Sequence, residues 1–124
     1  MIKETLSPRP EAPILDMEDT LRRIQNDEEF LRTLYGAFID DLPNKFNTLD
    51  EAIAGGEFKK AQQAAHSLKG AAATVGAVSL RDAALEIEMA ARDGDADKIN
   101  TLYPGLRDKA GRTLKEMSLA LKGG

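Results

Sequence analysis

Cysteine and tryptophan are absent from this 124-residue chain, and histidine occurs once. Without cysteine there are no disulfides, thiol nucleophiles or thiolate metal sites, and one imidazole supplies too few ligands for zinc. Aromatic residues make up 5% of the chain, too few for a base-stacking platform on single-stranded nucleic acid. Positive charge is in deficit, with a net charge of −4, so binding to a phosphate backbone is not favoured. No apolar run approaches the roughly 18 to 20 residues of a membrane span, and the N-terminus lacks the apolar core of a signal peptide. These absences predict a cytoplasmic, acidic domain that binds neither nucleic acid nor membrane and holds no cofactor or metal of its own.

What is present is ordinary for a globular chain: 42% hydrophobic and 31% charged residues. The length suits one domain that buries roughly two thirds of its unfolded surface. Three of the five prolines (Pro8, Pro10 and Pro13) fall near the start. Residues 1–14 therefore read as an extended tail and residues 15–122 as the domain. Met1 and the tail favour a free-standing chain.

Beyond the tail the periodicity is helical. Asp16 caps a short first helix carrying Met17, Leu21 and Ile24, and Asp27 precedes a second. Phe30, Leu31, Leu34, Phe38, Leu42, Phe46, Leu49 and Ile53 form the second helix's stripe, which ends at Gly55-Gly56 and should kink at Pro43. A third helix spans about Glu57 to Thr74, with Gly76 as its stop. A fourth starts at Ser79, read as an N-cap with Asp82 three residues on, and runs to Gly94. The fifth begins after Asp95, and Pro104-Gly105 should kink or divide it. Short connections between long helices predict an all-α, antiparallel up-and-down four-helix bundle with an extra short N-terminal helix.

The single histidine, His66, sits on the third helix one step off the Ala65/Leu68 stripe. Its own face holds Lys59, Gln62, Gln63, Lys69, Gly70 and Ala73. Glycine inside a helix costs roughly 1 kcal/mol relative to alanine, and a side chain at Gly70 would lean back over the imidazole. Glycine leaves that space clear, Ala73 adds little bulk, and Lys69 brings an ammonium near the ring. The pattern suits an imidazole that admits an anionic group. If the next turn centres on Ala77, His66 lies eleven residues before it and Glu88 eleven after. A carboxylate there can accept the Nδ1–H bond and leave Nε2 free to attack. A register shift of one residue would bring in Ala84, Leu85 or Glu86 instead. Arg92, four residues beyond Glu88, either helps hold an anion or pairs with Glu88.

The stretch His66-Ser-Leu-Lys-Gly70-Ala-Ala-Ala-Thr-Val-Gly-Ala77 resembles the signature of histidine-containing phosphotransfer (HPt) domains, and the flanking "FIDDLP" and "LRDAALEIEMAARDGD" segments extend the likeness. The resemblance implies a helical bundle that relays a phosphoryl group between aspartates of response-regulator receiver domains, downstream of a sensor or hybrid histidine kinase. His66 would be the phosphoacceptor, with Lys69 steadying the phosphoryl group and Gly70 clearing its approach. Gln62, Gln63 and Ser67 are either auxiliary donors to a phosphoryl oxygen or solvated helix positions. Family members often carry glutamine where Glu88 stands. The implied protein is a monomeric phosphocarrier rather than an enzyme, and magnesium would sit on the receiver. Asp40 and Asp41 point about 100° apart on a helix and read as a solvated face. Two alternatives remain: a non-catalytic partner-binding bundle, and the phosphoacceptor domain of a chemotaxis-type kinase.

Overall fold

The computed structural model describes residues 12–123; the tail reading for residues 1–11 lies outside the described residues. Five helices occur among the described residues: α1 (Met17–Arg23), α2 (Glu28–Ala54), α3 (Phe58–Thr74), α4 (Val78–Arg92) and α5 (Ala96–Gly123). There is no strand among these residues, and no helix of theirs is long and apolar enough to cross a membrane. Three of the starts are set by local chemistry. The carboxylates of Asp16, Asp27 and Asp95 accept the backbone N–H groups of Asp19, Phe30 and Lys98, each at 3.0 Å, which satisfies donors a helix N-terminus otherwise leaves unpaired.

Helix α2 packs on α3, α3 on α4 and α4 on α5, while α5 returns to α2 and α1 lies against α2. The fully buried centre includes Tyr35, Leu49, Leu68, Leu80, Ile87, Ile99, Leu106 and Met117, each large side chain contributing about 1.5–3 kcal/mol by leaving water. The buried residues of α3 and α4, two helices packed on each other, are mostly small: Ala61, Ala64, Ala65 and Ala72 in α3, and Ala84, Ala90 and Ala91 in α4. Small side chains let two helices approach closely, so groups on their outer edges come within hydrogen-bonding reach.

Three sequence expectations change here. Phe30 is exposed, because the buried stripe of α2 starts one residue later at Leu31 and continues through Tyr35, Phe38, Leu42, Phe46 and Leu49. Of the two outcomes expected at Pro104-Gly105, division does not occur in α5, and α2 is likewise one helix containing Pro43. Both prolines face solvent, where water can take up the carbonyl each leaves unpaired. Packing on either side (Leu42 and Phe46 in α2, Leu106 in α5) offsets the proline penalty of about 3 kcal/mol. Tyr103, whose hydroxyl donates to the Asp50 carboxylate, and Arg107, 4.8 Å over the Phe46 ring, hold α5 to α2 in the same region.

The third change concerns Ser79, which is not an N-cap. Helix α4 starts at Val78 after Ala77, and Ser79 donates its backbone N–H to the Pro13 carbonyl at 3.0 Å and its hydroxyl to the Ala12 and Pro13 carbonyls. The chain just before α1 thus does the capping, and residues 12–14, non-helical as their proline predicts, are pinned to the domain. The α3–α4 turn is part of the same joint. Gly76 has φ +73° and its carbonyl accepts from Asp16 N at 2.8 Å. A Cβ at Gly76 would stand 2.5 Å from Thr20 Oγ1 and 2.7 Å from the Asp16 carbonyl oxygen. Gly76→Ala should therefore lower unfolding stability by about 2–4 kcal/mol, combining left-handed strain with a backbone clash. Urea unfolding of the variant measures this, and a loss under about 0.5 kcal/mol would contradict the joint.

Candidate functional site

His66 lies midway along α3 with its ring 66% exposed. Its Nδ1 is 2.9 Å from Glu88 Oε2, and Glu88 comes from α4 at the level its distance from Ala77 predicts. The same carboxylate holds a second partner, with Oε1 2.8 Å from Lys69 Nζ. That second contact is short but poorly aligned for a hydrogen bond, so it acts as an ion pair. Glu88 is only 16% exposed, wedged between the two helices, and it ties the ring and the ammonium into one unit.

Burial is the largest influence on the Glu88 carboxyl and by itself would raise its pKa. Contacts from Lys69 and His66 outweigh it and hold the group below its ordinary value of 4.5. A carboxyl depressed in the folded state contributes stability that is fully present above 4.5 and lost as pH falls through the depressed value. The difference in unfolding free energy between the wild type and Glu88→Gln should thus shrink as pH falls below 4.5. Urea titrations across that range check it, and a difference that grows on acidification would contradict the assignment.

With the carboxylate accepting from Nδ1, that nitrogen carries the ring proton and Nε2 keeps its lone pair. Gly70, one turn on, is exposed, and a Cβ there would meet nothing within 4 Å among the described residues. Packing therefore does not demand a glycine at this position. Ala73 continues this bare surface.

The remaining expected site residues divide. Gln63 is exposed and Gln62 half-buried, and neither side chain makes a hydrogen bond among the described residues. Arg92 does not pair with Glu88: it turns outward to Asp93 at 3.4 Å, because Lys69 and His66 already occupy both Glu88 oxygens. Ser67 accepts a hydrogen bond from Lys45 Nζ at 2.8 Å. Lys45, on α2, is a neighbour of the site that sequence reasoning missed. Its ion pair with Asp41 (3.3 Å, i to i+4) was legible from spacing and makes Asp41 a paired group rather than a merely solvated one. Its position beside Ser67 depends on how α2 packs on α3.

A lone exposed imidazole with a half-buried carboxylate on its Nδ1, a tethered ammonium beside it and a glycine one turn on is suited to nucleophilic attack on an anionic centre. In fold the chain is similar to the crystal structure of histidine-containing phosphotransfer protein B (HptB) from Pseudomonas aeruginosa PAO1, with a TM-score of 0.83 at 23% identity over 92% of this chain and 99% of that one. A search of curated proteins found no match. Comparison with protein-family models matches residues 33–122 to the Hpt domain. That span takes in His66, Lys69, Gly70 and Glu88 together with the helices that position them, and the chain belongs to the Hpt domain family.

Proposed function

We propose that His66 Nε2 is the atom that carries the phosphoryl group of this Hpt domain, and that Glu88, Lys69 and Gly70 equip it to do so. The observation that carries the reading is the 2.9 Å contact between His66 Nδ1 and Glu88 Oε2, on a side chain that is 66% exposed. In the loading step Nε2 attacks the phosphorus of a receiver's aspartyl phosphate. The N–P bond forms, the P–O bond to the aspartate breaks, and the aspartate leaves as a carboxylate. The ring becomes a phosphoimidazolium with its proton still on Nδ1, and Glu88 offsets the new positive charge. In the unloading step a second receiver's aspartate attacks phosphorus. The imidazole then leaves as a neutral molecule because Nδ1 kept its proton. One hydrogen bond thus serves both directions of transfer.

Lys69 supplies positive charge beside the phosphoryl oxygens while Glu88 keeps it in place. Magnesium and most of the transition-state stabilisation belong to the receiver. The domain acts as a monomeric cytoplasmic phosphocarrier without independent catalytic activity, built as an antiparallel four-helix bundle (α2 to α5) with α1 as the extra N-terminal helix. The antiparallel arrangement is supported by the short turns and by contact between groups eleven residues either side of Ala77.

A panel of phosphorylated receiver domains tests the proposal. At least one should label the protein, and the label should survive alkali and be lost in acid, as a phosphoramidate is. No transfer from any receiver, or an acid-stable label, would overturn it. Transfer only from an ATP-bound kinase domain would favour the chemotaxis-type alternative.

A further inference from the structure

We propose that Lys45 is a positioning residue for the incoming phosphoryl donor, holding a fixed positive charge on the side of His66 away from Lys69. The inference rests on His66 being the acceptor and adds a contribution from α2.

Lys45 Nζ donates to Ser67 Oγ at 2.8 Å and lies 3.3 Å from Asp41 Oδ2. Ser67 directly follows His66, so the ammonium is brought across the α2–α3 seam to the flank of the phosphoacceptor. The Lys45 side chain is 23% exposed: its stem is packed and its head remains reachable. An ammonium already fixed in this way loses little further freedom when an anion arrives.

Ser67 behaves differently from the helix threonines. Thr48, Thr74, Thr101 and Thr113 each turn their hydroxyl back to the carbonyl four residues earlier, the usual choice inside a helix. Ser67 instead faces α2 and accepts from Lys45, leaving its own proton without an acceptor among the described residues. Beside the pair runs a polar groove of about 220 Å³ lined by Asp41, Asn44, Lys45, Thr48, Ala64 and Ser67.

Charge gives this arrangement a use. The chain carries −4 overall, and an aspartyl phosphate brings further negative charge, so encounter between them is disfavoured at long range. Lys69 is closely paired with Glu88, at 2.8 Å. Lys45 is held more loosely by its carboxylate, at 3.3 Å, so more of its charge is available to an approaching anion. Its effect therefore falls on the encounter and not on the chemical step.

The test is single-turnover transfer from a phosphorylated receiver at increasing receiver concentration. Lys45→Gln should raise the half-saturating concentration about fivefold and Lys45→Glu more than about tenfold. The limiting rate and the hydrolysis of phosphohistidine should stay unchanged. Lys45→Arg should restore wild-type behaviour, and Asp41→Asn, by unmasking the ammonium, should lower the half-saturating concentration. The salt dependence of half-saturation should flatten in Lys45→Gln. An unchanged half-saturating concentration in Lys45→Gln, or a change confined to the limiting rate, would overturn the proposal. If Lys45→Gln unfolds, Asp41→Asn decides in its place, and no decrease there overturns it as well. Loss of Lys45 effects with His66 still labelled defeats this inference alone, whereas labelling of His66→Gln defeats the site beneath it.

Discussion

His66→Gln is expected to take up no phosphoryl group from any phosphorylated receiver that labels the wild type. The substitution removes the chain's single imidazole and leaves a side chain of good helix propensity at a position 66% exposed. Stability should stay within about 0.5 kcal/mol of the wild type, as for most surface changes, apart from what loss of the Glu88 contact removes. Lys69 still balances Glu88 at 2.8 Å, so the carboxylate is not left without a partner. Binding to the receiver should persist, because the docking surface is intact. The informative result is therefore a folded, receiver-binding protein with labelling at background. Equal labelling of His66→Gln and wild type would mean the phosphoryl group travels elsewhere and the imidazole is incidental. A second variant separates the nucleophile from its orientation. Glu88→Ala keeps His66 but loses the Nδ1 partner, and a hydrogen bond to a charged group contributes about 1.5–3 kcal/mol, or roughly ten- to a hundredfold in rate.

Gly70→Gln should separate fold from function in the opposite way. A Cβ at this position meets nothing within 4 Å among the described residues, so the longer side chain enters solvent without a clash. Replacing a mid-helix glycine with a good helix former stabilises by about 0.5–1 kcal/mol, which should raise the melting temperature by a few degrees. On a helix, however, side chains lean back over the preceding turn, and that turn carries His66. The variant should be more stable and transfer at least about tenfold more slowly, while Gly70→Ala should gain similar stability with a smaller loss of transfer. Calorimetry and single-turnover labelling on the same preparations read both quantities. A stable Gly70→Gln protein with wild-type transfer would refute the idea that this glycine keeps the approach open.

Gly70 and Gly76 sit in the same signature stretch, yet they answer to different constraints. At Gly70 the space is open and nothing in the packing calls for a glycine. At Gly76 the backbone is left-handed and the Asp16 carbonyl and Thr20 hydroxyl occupy the place of a Cβ. The Gly76-Ala77 end of the resemblance therefore reports how the N-terminal segment is seated. The His66-Lys69-Gly70 end carries the proposed chemistry. Sequence spacing alone does not separate the two, because a glycine needed for access and one needed for a tertiary joint read the same.

Residues within four positions of one another were legible in the sequence, because helix geometry by itself brings them together. The caps at Asp16 and Asp27 and the start after Asp95 follow from side chains reaching backbone N–H groups three residues on. The His66, Lys69 and Gly70 face follows from 3.6 residues per turn. The level of Glu88 was also within reach, because a short turn leaves two helices little freedom in register. What depended on tertiary packing was every contact between elements not joined by a short turn. Lys45 meets Ser67 across 22 residues of chain, and the carbonyls of Ala12 and Pro13 cap a helix that starts more than sixty residues later. Leu31, not Phe30, begins the core, and helix α5 is not divided at Pro104-Gly105. In each case the local preference is worth one to a few kcal/mol, about the scale of burying a single large side chain, so the packed whole decides.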